Sequence, residues 1–299
     1  MRKESFSRKV FLFFNTLFMI CLVVIMVAPY LNIIAKAFND GKDTAMGGIT
    51  IFPRVFTLDN FKTLLSDKAL PRAAVVSVAR VICDVVLTLF VQFSAAYVFT
   101  HKDLVGRSGL LMFFMIPAYF GGGLIPRYIL YSNTGLLNNF LLYFVPGCFS
   151  LYNMIIIRTF INSLPDSLPE AAKLDGASEM QILMKVIMPL SKPIMATIAL
   201  WTAVGSWSDW TTTMYFFTDK KMYTLQYVLV QILKESQKIQ AMISEAALRG
   251  EFIDEANIAV TSEAVKSAMI LVTTLPIVMV YPFLQKYFIK GVTVGAVKD

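Results

Sequence analysis

Charge is what this sequence has least of. Only 16% of its 299 residues are Asp, Glu, Lys or Arg, whereas 57% are hydrophobic and mean hydropathy is +0.64. A water-soluble domain carries about a quarter charged residues, so the shortage excludes an ordinary soluble globule and makes the bilayer the expected solvent. Histidine is scarcer still. His101 is the single one, in a short basic loop. It reads as a solvated surface residue, and its isolation excludes histidine-based catalysis and a His-rich metal site. The three cysteines, Cys21, Cys83 and Cys148, lie inside apolar segments without disulfide or zinc spacing, and read as soft hydrophobes. Also missing are a G-x-x-x-x-G-K-[ST] phosphate cradle, a G-x-S-x-G elbow and a paired-aspartate motif. The run Gly121–Gly123 lacks the following Lys-Ser/Thr and reads as a place where a helix bends or packs closely. Net charge is +7, but the basic residues flank apolar runs rather than forming a stripe, which suits membrane anchoring and not nucleic-acid binding.

What is present is a series of long apolar runs. A helix needs about 20 apolar residues to cross the hydrocarbon core. Six runs reach that length: 10–34, 73–99, 109–130, 137–157, 194–217 and 267–289. Each is expected to be helical, because lipid offers no partners to an open backbone. The first begins among Arg2, Lys3, Arg8 and Lys9 and ends near an "AKA" at 35–37 that imitates a cleavage site. Its apolar core of about 25 residues exceeds a signal peptide, so an uncleaved span is expected. The basic residues of the short segments (Lys102, Arg107, Arg158, Lys173, Lys185, Lys192) fall on the N-terminal side, which predicts N-in and C-in. Domain organisation follows. Residues 1–71 hold the N-terminal tail, first span and an outer loop, residues 72–290 a core of five spans, and residues 291–299 a C-terminal tail. The outer segment 218–266 has helix-forming polar composition and no run long enough to span.

One inner segment, 165–190, is richer than a connector requires. It contains "EAAKLDGASEMQILMKVIMPL" at 170–190. Pro169 suits a first helical turn, and Glu170 complements the positive end of the helix dipole. Ala171 and Ala172 let another surface come close. Gly176 can take a left-handed conformation after Asp175, and Ser178 can cap a second helix. Ile182, Leu183, Val186 and Ile187 then form one apolar stripe, and Pro189 ends it. A helix–glycine–helix elbow of this kind reads either as a docking device or as an amphipathic connector lying on the headgroups.

The elbow resembles the EAA loop of inner-membrane permease subunits of ATP-binding-cassette importers. That pattern is E-A-A-x-x-D-G-A, five variable residues, then F-x-x-I-x-L-P. Glu170, Ala171, Ala172, Asp175, Gly176, Ala177 and Pro189 match it, with Leu183, Val186 and Met188 as apolar replacements. The likeness extends over 72–290. "AAYVF" at 95–99, "GGGLIPRYIL" at 121–130 and "YPFLQKYFIKGVTVGAVK" at 281–298 are similar to the carbohydrate-uptake branch, especially its polysaccharide and oligosaccharide permeases of Gram-positive bacteria. The resemblance implies an all-α, six-span type I importer permease fold in the bacterial plasma membrane. It implies no catalysis and no cofactor held by this chain, with ATP and Mg in two partner ATPase subunits. A second homologous permease and an extracellular lipid-anchored solute-binding protein would complete the assembly. Glu170, Ala171, Ala172, Asp175, Gly176, Ala177, Leu183 and Pro189 would then couple this chain to an ATPase.

Sugars are held by aromatic faces and hydrogen-bonding side chains. "WTAVGSWSDW" gathers Trp201, Trp207, Asp209 and Trp210, and an acid within a span is a functional candidate. Trp207 and Trp210 read equally as interface anchors. Gln92 and Asn153 are further pathway candidates. Arg80 and Asp84, four apart, are expected to pair across one helical turn. A peptide or polyamine importer, a secondary transporter, a channel or receptor, and an intramembrane enzyme are the competing readings. The enzyme lacks a convergent site, and a channel leaves the elbow unexplained.

Overall fold

Helices account for nearly all regular structure, as a chain that must satisfy its amides in lipid requires. A computed structural model describes residues 6–66, 68–249, 263–280 and 282. Among these, the only β-type contact is an isolated antiparallel bridge between Asn39 and Phe56. The chain divides into two compact units, residues 1–70 with 229–275 and residues 71–228 with 276–299.

In the first unit, α1 (Phe6–Ala37) presents almost every side chain outward, as a lipid-facing helix should, until Ala35 and Ala37 become buried. At 32 residues it is about 48 Å long, ample for a hydrocarbon core of about 30 Å. The loop after it is organised around Asn39, which is fully buried. Asn39 Oδ1 accepts from the backbone N–H groups of Arg54 and Val55, each at 2.8 Å. Its Nδ2 donates to Asp43 Oδ2 at 2.8 Å and Thr44 Oγ1 at 3.0 Å, at the short helix α2 (Gly41–Ala45). Asn60, on α3 (Asp59–Ser66), donates to the carbonyls of Ala37 (2.9 Å) and Asn39 (2.8 Å). Lys36 pairs with Glu263 at 2.6 Å.

In the second unit, α4 (Ala69–Val98) begins four residues earlier than expected. Pro71 does not prevent this, because the first turn has no intrahelical partner for its missing N–H. The expected third span is not one helix. α5 (Arg107–Tyr119) contains Pro117 and meets α6 (Leu124–Asn133) at 114°. Gly123 at the joint sits at φ +83°, where a side chain is strained. The fourth run is helical only over α7 (Leu151–Ile161), preceded by a 3₁₀ turn at Phe140–Tyr143 and the break at Pro146–Gly147. Eleven residues give about 16 Å, too short alone for a crossing. α8 (Ser167–Leu174) and α9 (Glu179–Leu190) build the elbow, and α9 turns 86° into α10 (Lys192–Ser208). The fifth run also breaks, at Asp209, before α11 (Thr211–Phe216).

α12 (Leu225–Arg249) fills much of the segment 218–266 as a single helix. α13 (Glu263–Val280) begins before the expected sixth run, while most of 281–299 lies outside the described residues, as do 250–262. Among the described residues, α1, α4 and α13 are each long and apolar enough to cross a membrane, and the two bent pairs raise the number to five.

Asn39→Leu should remove the acceptor of two loop amides at about 1 kcal/mol each. Hydrogen–deuterium exchange at Arg54 and Val55 is then expected to accelerate at least tenfold. Unchanged protection at both would show that the loop holds without Asn39.

Candidate functional site

The elbow is built from local signals that the structure realises. Glu170 lies in the first turns of α8, which ends at Leu174, and Gly176 turns the chain at φ +82°. Ser178 caps α9 in a reciprocal box, its hydroxyl accepting from Gln181 N while Gln181 Oε1 accepts from Ser178 N. A π-helical turn, Leu183–Ile187, follows, and the helix ends at Leu190 just after Pro189.

The apolar stripe of α9 does not face outward. Ile182, Leu183 and Ile187 are buried in the main core of the unit with Phe93, Ala96, Tyr97, Met154, Ile157 and Ile198. Val186, Ala172 and Ala177 pack at its edge. Of the elbow residues singled out in the sequence, Leu183 is therefore an internal anchor. Glu170, Ala171, Asp175, Gly176 and Pro189 are exposed. Sequence reasoning missed Leu174, which is 90% exposed at the tip of α8. Its signal was present: an isolated leucine between Lys173 and Asp175, off the buried stripe.

Glu179 ties the elbow to the end of α4. Tyr97 Oη donates to Glu179 Oε2 at 2.6 Å, and Lys173 Nζ donates to Oε1 at 3.2 Å. His101 Nε2 lies 3.6 Å from the same carboxylate and its ring meets Tyr97 edge-on. His101 is thus exposed, as expected, yet engaged. The Tyr97 hydroxyl first, and then Lys173, hold the Glu179 carboxyl below its ordinary value.

A second polar centre lies within the spans. Arg80 does not pair with Asp84 across a turn. Its Nη2 meets Asp209 Oδ2 at 2.5 Å and its Nη1 donates to the Asp209 carbonyl at 2.9 Å. The guanidinium also sits 4.6 Å over the Tyr143 ring, which stacks on Phe217 at 4.2 Å. Asp209 Oδ1 accepts from Thr211 N, Thr211 Oγ1 and Thr212 N, so the acid both starts α11 and holds α4. An arginine reaches a better partner across the bundle because the break at Asp209 frees its carboxylate and carbonyl together.

Arg80, Asp84, Arg127, Tyr131, Tyr143 and Asp209 line a cavity of about 310 Å³. Of the pathway residues expected from sequence, Asp209 alone lines it. Trp201 stacks on Tyr152 at 6.3 Å, and Trp207 borders an apolar groove with Val78, Ile82 and Leu200. Trp210 stands at the start of α11. Asn153 occupies the first turn of α7, its N–H bonded to Ser150 Oγ. Gln92 is fully buried, its amide unpartnered among the described residues. Arg127 and Tyr131, four apart on α6, and Tyr143 on the following 3₁₀ turn were not singled out, because nothing local shows that these two segments converge on Arg80 and Asp209.

Residues 4–294 match the family described as binding-protein-dependent transport system inner membrane component. The chain belongs to that family, and is a membrane permease component of an ABC import system. It is 35% identical over 285 residues to protein LplC of Bacillus subtilis (strain 168), covering 95% of this chain and 93% of that one. It is 31% identical over 281 residues to the polygalacturonan/rhamnogalacturonan transport system permease protein YtcP of the same organism, covering 94% and 96%. Its fold is that of a chain in a bacterial ABC transporter involved in the import of the acidic polysaccharide alginate. The TM-score is 0.83 at 24% identity, covering 96% of this chain and 100% of that chain.

Two outcomes test this geometry. Asp209→Ala should strand a buried guanidinium and cost about 3–5 kcal/mol, whereas Arg80→Met with Asp209→Leu should recover part of the loss. Thermal unfolding in detergent reads both; equal stability of the single and double variants would contradict the pairing. Tyr97→Phe should lower the melting temperature by about 2–4 °C at pH 7. Glu179 is depressed, so the bond's contribution is full above the ordinary carboxylate value and is lost as pH falls through the lowered one. The gap between wild type and variant should therefore narrow once pH falls below the ordinary carboxylate value, and should be absent at pH 7 in a Glu179→Leu background; an equal gap at pH 7 with and without the Glu179 carboxylate would assign it to packing instead.

Proposed function

We propose that this chain is one of two permease subunits of an ATP-driven importer of oligosaccharides or polysaccharide fragments. The observation that carries the mechanism is the elbow. Its second helix is locked into the chain's own core, while Glu170, Asp175 and Leu174 on its first half point to solvent. A segment held rigidly at one end and exposed at the other is suited to receive force from a partner. On this reading six crossings place both termini inside, and the elbow seats in a groove of a cytoplasmic ATPase subunit. Glu170 contributes charge-assisted hydrogen bonds, Leu174 an apolar plug, and Gly176 the turn that aims them. Two ATPase subunits hold the ATP and Mg. Their closure moves the elbow and switches access between the two sides of the plasma membrane.

The second permease supplies the other half of the pathway, and a lipid-anchored extracellular protein delivers the solute. The carbohydrate assignment rests on the names of the relatives, polygalacturonan and rhamnogalacturonan among them.

Co-purification in detergent tests the coupling. Wild type should retain the second permease and the ATPase, and Glu170→Arg should lose the ATPase alone. If neither form holds an ATPase while the permease pair persists, the importer mechanism fails and ATPase-independent transport becomes the better account.

A further inference from the structure

Four features of the 310 Å³ cavity are not explained by the packing of the chain, and together they describe a ligand. Arg127, exposed on α6 at the cavity wall, has no hydrogen-bond or ion-pair partner among the described residues. Arg80 is 4% exposed, and its Nε is buried without an acceptor even though its terminal nitrogens are spent on Asp209. Asp84, half-buried on the same wall, accepts from Thr88 Oγ1 at 3.2 Å and has no cation at ion-pair distance among the described residues. Tyr131 and Phe216, in edge-to-face contact at 5.1 Å, add aromatic surface to the lining.

These groups ask for different things. A free guanidinium takes a carboxylate through paired N–H donors. A carboxylate without a cation takes hydroxyl donors. Aromatic surface takes a patch of C–H bonds. A bare inorganic anion would satisfy Arg127 but meet Asp84 unfavourably, and a multiply charged phosphate more so. A neutral sugar would serve Asp84 and the rings and leave Arg127 unmatched. One monomer carries a single carboxylate, several hydroxyls and a C–H face, and its size suits a cavity at the lower end of small-molecule sites, roughly 300–1,000 Å³.

We propose that this cavity binds a uronic-acid residue of the transported saccharide, with Arg127 taking the sugar carboxylate and Asp84 its hydroxyls. The assignment rests on the importer reading above and names its substrate class. Arg80 is a positioning residue here. Fixed by Asp209 and Tyr143, it shapes the wall and sets the positive field there.

The test uses the assembled transporter, both permeases with their ATPases, in nanodiscs and without a binding protein. Saturation-transfer NMR titrations compare digalacturonate with α-1,4-galactobiose, the same disaccharide with each carboxylate replaced by CH₂OH. A second pair, dimannuronate and mannobiose, repeats the comparison. Wild type should bind the acid of at least one pair about tenfold more tightly than its neutral analogue, the scale of a charge-assisted contact. Arg127→Gln should bring that ratio below about twofold, and Arg127→Lys should leave it intermediate, because the charge remains but the fork is lost. Equal affinities in wild type for both pairs would overturn the proposal, as would an undiminished ratio in Arg127→Gln. Uptake into proteoliposomes with the cognate binding protein separates the two levels. ATP-driven uptake without acid preference removes only the uronate assignment, whereas no ATP dependence for any of the four sugars removes the importer reading itself.

Discussion

The ion pair between Arg80 and Asp209 is the contact on which the second unit's interior depends. A charge among spanning helices is tolerated only when matched and hydrogen-bonded. Here Arg80 receives a carboxylate, a backbone carbonyl and an aromatic face at once. The match requires that the helix carrying Asp209 be broken, since a carbonyl inside an intact helix is already engaged. The break in turn gives Asp209 the free N–H groups of Thr211 and Thr212. Pairing and breaking thus sustain each other, and the space they leave open is the polar cavity.

At the other end of α4 the chemistry is softer. The elbow is held by apolar burial of Ile182, Leu183 and Ile187 and by one carboxylate shared among Tyr97, Lys173 and His101. The burial is strong and undirected, and the shared carboxylate is directional and partly exposed. A joint of this composition is anchored by packing and oriented by a single directional contact.

Much of this was legible in the sequence, and the limits were physical. Apolar runs located the long apolar helices α1, α4 and α13, polar helix-forming composition pointed to α12, and the elbow was read nearly residue by residue, including the left-handed Gly176 and the Ser178 cap, because capping and turn signals are local. A bend at Gly121–Gly123 was one of the two readings of that run, but the breaks in the fourth and fifth runs were not read. Hydropathy averages over a window, and a span containing Gly121–Gly123, Pro146 or Asp209 keeps its mean while losing its continuity. Arg80 was assigned to Asp84 because four residues of separation is a rule about one helix, whereas its actual partner lies 129 positions away. The tryptophans drew notice by composition, yet the rings lining the cavity are Tyr131, Tyr143 and Phe216. Convergence of that kind is a property of the fold.

α4 contains the two ends of this arrangement on one uninterrupted helix. Arg80 and Tyr97 are 17 residues apart, roughly 25 Å along the axis. From Arg72 to Val98 the helix contains neither glycine nor proline, the residues at which helices yield. In mechanical terms it is a pushrod, with a hinge pinned at its foot and a chamber wall mounted on its shaft. Tyr97, which Glu179 holds, and Arg80, which walls the cavity, are therefore fixed at a set separation on one shaft that has no residue at which it would yield.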